Sequence, residues 1–353
     1  MTDTGIERVI VCDPRGFCAG VEMAIKALGW MLRVFEPPVY CYHEIVHNKL
    51  VVDEFEAAGV IFVDDVAEVP PGAPVMLSAH GSAPEVADSA SDEHRVVVDA
   101  VCPLVTKVHH EARVRANKGF DIIYIGHAGH DEAVGTLAEA PEAMSLVEDV
   151  ADVNALEIGA DRDVALLAQT TLAHGEWAEI LERAGERFPD LWTPGRSDLC
   201  FATTNRQAAV TEVAPEVDLM LVIGSENSSN TQALVRTALT AGCPRAVRIE
   251  SAADISDALI AGARNVAVTA GASAAENVVS DVVERLGAAE VTERRVTEED
   301  EYFPLPRELR ELIRALVTAV GLSLGAPDTA KALDAADRTQ AAVDVLEALA
   351  PAQ

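Results

Sequence analysis

Leu219-Met220-Leu221-Val222-Ile223-Gly224-Ser225-Glu226-Asn227-Ser228-Ser229-Asn230 carries the pattern on which the fold turns. A short apolar run stops abruptly at glycine and a row of small polar residues, as a strand does where it delivers a loop to a binding face. The same unit recurs along the chain. Val9-Ile10-Val11 runs into a turn holding Cys18, Pro38-Val39-Tyr40 into His43 and His47, and Val75-Met76-Leu77 into Ser78-Ala79-His80-Gly81. Val96-Val97-Val98 leads to Asp99 and Cys102, Ile122-Ile123-Tyr124-Ile125 to His127 and His130, and Val164-Ala165-Leu166-Leu167 to Gln169-Thr170-Thr171. Val266-Ala267-Val268 leads to Thr269-Ala270-Gly271-Ala272-Ser273, while Cys200 opens Phe201-Ala202-Thr203-Thr204-Asn205 with no clear strand before it. Helical stretches lie between. Strand, polar turn and helix in this alternation are the units of a parallel α/β protein.

The nine turns fall into three triplets, each opened by a cysteine: 18, 47, 80, then 102, 130, 170, then 200, 230, 273. The cysteines are 84 and 98 residues apart, about one small α/β domain each, so the spacing is that of a degenerate internal repeat. The triplets set segments at 1–102 (Cys18), 103–198 (Cys102 at its start), 199–290 (Cys200) and a C-terminal segment 291–353. Ligands of open parallel sheets bind beyond the carboxyl ends of the strands. Three such units facing one centre would gather three cysteines and six polar turns around one cavity. Three thiolates there suit an iron–sulfur cluster with one iron left open, or zinc with three sulfurs and one open position.

Composition narrows the partners. The 353 residues hold 27 Lys plus Arg against 58 Asp plus Glu, a net charge of −31. That speaks against nucleic acid, whose binding rests on basic contacts to phosphate, and against docking on anionic lipid. The acidic N-terminus is unlike an export signal, and the apolar stretch from Ala315 to Ala326 is too short to span a bilayer. The expected compartment is the cytoplasm, where six cysteines without a CxxC pair are core residues, metal ligands or nucleophiles rather than disulfides. Cys12, Cys41 and Cys243 read as core residues, and His43, His109, His110, His127 and His174 as structural.

Asp13-Pro14-Arg15-Gly16-Phe17-Cys18-Ala19-Gly20-Val21 resembles the N-terminal signature of the 4-hydroxy-3-methylbut-2-enyl diphosphate reductases, which catalyse the last step of the methylerythritol phosphate route to isoprenoids. The resemblance continues through Glu44-Ile45-Val46-His47-Asn48, Ser78-Ala79-His80-Gly81, Cys102-Pro103-Leu104-Val105-Thr106-Lys107-Val108-His109 and Gly129-His130-Asp131-Glu132. It runs on through Gln169-Thr170-Thr171-Leu172, Ala202-Thr203-Thr204-Asn205-Arg206-Gln207, Asn227-Ser228-Ser229-Asn230 and Thr269-Ala270-Gly271-Ala272-Ser273. It covers residues 8 to 310 in unbroken order; the tail from 311 to 353 has no counterpart in it.

The resemblance implies three small parallel α/β domains around a pseudo-threefold axis, with a central 4Fe-4S cluster held by Cys18, Cys102 and Cys200. It implies a diphosphate site built from His47, His80, His130, Ser228, Ser229, Asn230 and Ser273, with Thr170 and Glu132 near the substrate hydroxyl. Reductive loss of an allylic hydroxyl takes two electrons and two protons, and gives isopentenyl and dimethylallyl diphosphate. Departure as water needs a proton at the oxygen, for which Glu132 is the candidate general acid, with Thr170 relaying or orienting it. In so acidic a protein the diphosphate needs local donors such as imidazoles, hydroxyls, amides and helix starts. No GxGxxG fingerprint is present, so the electrons are expected from an external ferredoxin or flavodoxin.

Two positions depart from the family pattern: Val101 where Thr usually precedes the second cysteine, and Asp131 where Pro usually follows the histidine. Two rival readings make different demands. Quinolinate synthase resembles this architecture but takes no diphosphate, which leaves the Asn-Ser-Ser-Asn turn without a use. A non-catalytic iron–sulfur sensor would need neither Glu132 nor Thr170.

Overall fold

Twelve strands form among the described residues of the computed structural model, which are 5–92, 96–159, 161–324 and 337–349. In chain order they are β1 (Arg8–Asp13), β2 (Val39–Tyr42), β3 (Val60–Val63), β4 (Pro74–Leu77), β5 (Val96–Asp99), β6 (Asp121–Ile125), β7 (Met144–Val147), β8 (Val164–Ala168), β9 (Leu219–Ile223), β10 (Ala246–Ile249), β11 (Asn265–Ala270) and β12 (Glu290–Arg295). Every pairing between them is parallel. All eight runs read as strands in the sequence are present; β3, β7, β10 and β12 are additional. The result is an α/β protein of three small parallel sheets.

The chain divides into two units, Met1–Cys18 with Lys107–Asp300, and Ala19–Thr106 with Glu301–Gln353. The first unit holds a five-stranded sheet ordered β10-β9-β11-β1-β12 and a three-stranded sheet ordered β7-β6-β8. In the larger sheet Val9, Val11, Leu221, Ile223, Val266 and Val268 face one apolar layer, and Ile10, Cys12, Met220, Val222 and Ala267 face the other. The alternation is the period of two expected of strands buried on both faces. Cys12 is thus a core residue, and Cys243 packs in the same layer. In the smaller sheet Ile123, Ile125, Leu166 and Ala168 face one layer, and Ile122, Tyr124, Ala165 and Leu167 the other.

The second unit holds the sheet β3-β2-β4-β5, with Cys41 fully buried in β2. The helix Ala19–Val34 belongs to it, and the helix Ala342–Leu349 of the tail packs on that helix. Gly29 makes this approach possible, because a Cβ there would lie 2.3 Å from a Val345 methyl. Glu22 accepts the backbone N–H of Ala342 at 2.7 Å. The buried Lys26 ammonium donates to the carbonyl of Asp337 at 2.8 Å and lies 3.4 Å from its carboxylate. The described part of the tail is therefore built into the unit. Residues 325–336 and 350–353 of that tail lie outside the described residues. No helix among the described residues is long and apolar enough to cross a membrane.

Strand order within the sheets revises the segment that opens the chain. In the second unit β2 leads to the His47 turn, β4 to the His80 turn, and the next strand, β5, to Cys102. The large sheet repeats that order: β9 leads to Asn230, β11 to Ser273, and the next strand is β1, which leads to Cys18. β1 therefore sits between β11 and β12, in the sheet of segment 199–290 rather than with β2 and β4. Its four central residues are all buried, and it needs a strand on each side to satisfy both backbone edges. β12 carries the same sheet past residue 290 into the C-terminal segment. In the small sheet β6 leads to His130 and β8 to Thr170, and the chain before Cys200 joins β8 through a single parallel bridge between Ala165 and Trp192. Cys102 and Cys200 thus follow the sheets of the triplets before them, and Cys18 follows a strand in the sheet of the third triplet.

Candidate active site

The same permutation appears in the hydrogen bonds of the three cysteines. The Cys102 N–H donates to the carbonyl of Ala79 at 3.0 Å, Cys200 N–H to that of Thr170 at 3.0 Å, and Cys18 N–H to that of Ala272 at 3.1 Å. Each acceptor lies at, or one residue before, the last turn of the preceding triplet. A helix begins directly after each cysteine, at Ala19, Pro103 and Phe201.

In the first unit an unbroken run of hydrogen bonds joins the expected site residues. The Ala272 carbonyl takes the Cys18 N–H, and the Ala272 N–H donates to Asn230 Oδ1 at 2.9 Å. Asn230 Nδ2 donates to Thr203 Oγ1 at 3.4 Å, and Thr203 Oγ1 lies 3.0 Å from Cys200 Sγ. The Thr203 N–H also donates to that sulfur, at 3.2 Å, so Cys200 caps the helix Phe201–Val213. Cys200 N–H then reaches the carbonyl of Thr170. Thr170 donates to Glu132 twice, from its N–H to Oε1 at 2.7 Å and from its hydroxyl to Oε2 at 3.0 Å. Finally the Glu132 N–H donates to His130 Nδ1 at 3.2 Å. Cys18, Asn230, Cys200, Thr170, Glu132 and His130 are thereby held in one network.

Glu132 is buried in the first turn of the helix Asp131–Leu137. Burial is the main cause that pushes its pKa up to about 7, and the nearby Asp198 carboxylate adds to the rise. The two Thr170 donors pull the other way without cancelling it. The carboxyl is therefore a proton carrier near neutral pH, where an ordinary glutamate has none to give. His130 caps that helix through Nδ1, so the neutral ring carries its proton on Nε2.

The Asn227-Ser228-Ser229-Asn230 turn opens the helix Ser229–Thr240. Ser228 caps it, accepting the Thr231 N–H at 3.3 Å and lying 3.0 Å from the Thr231 hydroxyl. The ends of β9 and β11 close on this start because Gly224 and Gly271 lack side chains: a Cβ at either would lie within 2.3 Å of Thr231 Oγ1. The small buried residues Ser228, Ser229 and Asn230 are so collected at one helix N-terminus, and Ser273 is buried in the loop after β11. His127, read as structural, lies with its Nδ1 3.4 Å from Ser229 Oγ. Burial, and next the Arg236 guanidinium, hold its pKa below the usual imidazole value.

In the second unit His47 and His80 stack, with ring centroids 3.8 Å apart. The Ala79 carbonyl that takes the Cys102 N–H is adjacent to His80, and the Ala79 N–H donates to the carbonyl of Ile45, two residues before His47. His47, His80 and Cys102 are thus knit together inside their own unit.

The family model for LytB protein matches residues 9–287. The 4-hydroxy-3-methylbut-2-enyl diphosphate reductase of Rhodopirellula baltica is 46% identical over 306 residues, which cover 86% of this chain and 96% of the relative. The reductase of the same name from Mycolicibacterium paratuberculosis is 47% identical over 307 residues, 86% of this chain and 92% of the relative. The chain belongs to the LytB family of 4-hydroxy-3-methylbut-2-enyl diphosphate reductases. The E-1-hydroxy-2-methyl-but-2-enyl-4-diphosphate reductase structure from Plasmodium falciparum superimposes with a TM-score of 0.86 at 33% identity, covering 88% of this chain and 99% of that one. The fold is therefore that of the family, and the chain is an oxidoreductase.

The two departures from the LytB pattern have local accounts. Asp131 takes the first position of its helix, where proline is favoured but an acid is stabilised by the helix dipole. The Val101 N–H donates to the Asp99 side chain at 3.0 Å, so the backbone turn before Cys102 is held without a hydroxyl at 101.

The cysteines outside the LytB motifs are buried core thiols. Burial alone raises the Cys41 thiol, and it is the main cause that pushes Cys12 up to about 12. Cys243 donates its S–H to the Arg245 carbonyl at 3.1 Å, the behaviour of a neutral thiol. Cys200 instead accepts an N–H at its sulfur.

Thr203 and Arg206, both within the LytB motifs, carry no role in the sequence reading. The fully buried Arg206 donates to the carbonyls of Gly16 at 2.8 Å and Ala202 at 2.9 Å and pairs with Glu299 at 3.0 Å. It clamps the Cys18 loop to the start of the Cys200 helix.

Proposed function

We propose that this chain reduces (E)-4-hydroxy-3-methylbut-2-enyl diphosphate to isopentenyl and dimethylallyl diphosphate, with two electrons and two protons consumed and the hydroxyl lost as water. The observation that supports the reading is that one residue, Thr170, hydrogen-bonds to both Glu132 and Cys200, so a buried carboxyl with a raised pKa shares a network with a proposed ligand. Family membership supports the substrate and reaction.

The donor set fits an iron–sulfur cluster. The half-buried Cys200 thiol is pushed up to about 11, chiefly by lost solvation and next by the neighbouring Cys18 thiol. Only a bound cationic group would hold Cys200 as a thiolate at neutral pH. The N–H and O–H groups aimed at Cys200 Sγ are the donors that a ligating thiolate accepts. Cys18, Cys102 and Cys200 would hold a 4Fe-4S cluster. When bound it supplies the electrons and, with three cysteines for four irons, one iron able to act as a Lewis acid.

The rest is the work of the chain's own residues. Glu132 donates the proton to the leaving oxygen, while Thr170 holds its carboxyl in one orientation through two hydrogen bonds. His130, with its neutral-ring proton on Nε2, donates to substrate, and Ser228, Ser229, Asn230, Ser273, His47 and His80 bind the diphosphate. The helix start at Ser229 adds partial positive charge without an ionised side chain. The cytoplasm is the compartment that suits reduced thiols, and a separate ferredoxin or flavodoxin delivers the electrons.

The test is anaerobic turnover of the hydroxylated diphosphate by cluster-loaded protein with a reduced donor. Formation of both five-carbon diphosphates is expected; their absence from protein that carries iron and sulfide refutes the assignment.

A further inference from the structure

Thr203 joins two parts of the site that have separate tasks. Its hydroxyl lies 3.0 Å from Cys200 Sγ and accepts Asn230 Nδ2 at 3.4 Å. The residue is fully buried, so no water competes for these bonds. A hydroxyl has one proton to give, and a ligating thiolate has none. The direction is then fixed: Asn230 donates to Thr203, and Thr203 donates to sulfur. Asn230 is fixed at its other end by the Ala272 N–H, which leaves its second amide proton for a ligand.

We propose that Thr203 is a positioning residue that at once sets the reduction potential of the centre held by Cys200 and orients Asn230 toward the diphosphate. This deepens the reading above and rests on it. A hydrogen bond to a ligand sulfur stabilises the more negative, reduced state and raises the potential. A buried amide tied at both ends is pre-organised for its ligand, and untying one end costs affinity.

Valine is the discriminating substitution, because it keeps the shape of threonine and deletes only the hydroxyl. The Thr203 N–H to Cys200 bond belongs to the backbone and survives it, so the helix cap remains. A residue that merely fills space would tolerate the change without effect on either function.

The experiment uses full-length, cluster-reconstituted protein. The potential is read by an anaerobic redox titration, and the affinity for inorganic diphosphate by calorimetry. Thr203→Val is expected to move the potential to a more negative value. It is also expected to weaken diphosphate binding by about threefold to tenfold, the worth of one ordinary hydrogen bond. Thr203→Ser, which restores the hydroxyl, is expected to return both toward the parent. Movement of only one of the two quantities in Thr203→Val overturns the coupling, as does movement of neither. Failure of Thr203→Ser to recover either also overturns it, since packing would then be the cause. Parent protein that binds no iron and turns over no substrate would refute the assignment of function itself, a result distinct from a silent Thr203→Val in active enzyme.

Discussion

Replacing Glu132 by glutamine tests the proton supply most directly, and the structure sets the size of the effect. With its ordinary value of 4.5, a glutamate at pH 7 carries its proton about 0.3% of the time; pushed up to about 7, it carries it about half the time, a gain of roughly 150-fold. The substituted amide would keep the contacts: its carbonyl accepts the Thr170 N–H, and its NH₂ faces a hydroxyl able to turn and accept. What is lost is the transferable proton, typically worth ~10²–10⁴-fold in rate. Glu132→Gln should therefore retain its iron and its affinity for substrate and turn over at least ~10²-fold more slowly. Single-turnover kinetics with pre-reduced enzyme are the assay, because they remove electron delivery from the measured rate. In the parent the rate should fall above pH of about 7 as the carboxyl ionises, and the residual rate of the variant should lack that limb. Stability moves in the opposite sense. A carboxyl whose pKa is raised by folding leaves stability intact below 4.5 and erodes it as pH climbs to about 7. At pH 8 the variant should thus be the more stable protein, by up to about 3 kcal/mol, with no gain near pH 4. A near-normal single-turnover rate in Glu132→Gln would move the acid role to His130 or to the diphosphate itself.

Two further outcomes are expected. Serine at Cys18, Cys102 or Cys200 should sharply reduce bound iron and activity, whereas serine at Cys12, Cys41 or Cys243 should leave iron near normal; zinc in place of iron in the parent would refute the ligand assignment. Asp337→Ala should destabilise the second unit by about 3 kcal/mol in urea unfolding, because it strips the carboxylate from the buried Lys26, and an unchanged midpoint would show the tail to be dispensable.

The strands that the sequence does not announce share a position. β3, β7, β10 and β12 are all sheet edges, covered on one side only. An edge strand tolerates polar and charged residues that a central one does not. β12, Glu290-Val291-Thr292-Glu293-Arg294-Arg295, is charged at four positions and leaves Val291 half exposed, so no apolar run betrays it. The place of β1 is hidden for another reason: its burial is legible as Val9-Ile10-Val11, but nothing local names the neighbour it will take. The proposed ligand and acid residues are legible because each sits in a motif, all but Cys200 following a strand end. Thr203 lies within such a motif, three residues after Cys200, the spacing of a helix cap and its third residue. His127 gives no such signal, since its contact with Ser229 joins positions 102 residues apart.

A protein of net charge −31 that binds a diphosphate has an electrostatic problem at the site itself. Distant carboxylates are screened beyond about 8 Å at physiological salt, so the local charges decide. Glu132, two residues from His130 and buried, is a carboxylate that would repel the anion if it ionised. Its burial therefore serves two ends. In the proposed roles it would keep a proton available for the leaving hydroxyl, and it would remove a negative charge beside the proposed phosphate site below pH of about 7. The two effects reinforce each other, because an anion bound nearby raises the pKa of a carboxyl further. With Glu132 in its proposed role, substrate binding would load the acid with its proton, and above neutral pH binding should carry a proton into the protein with it.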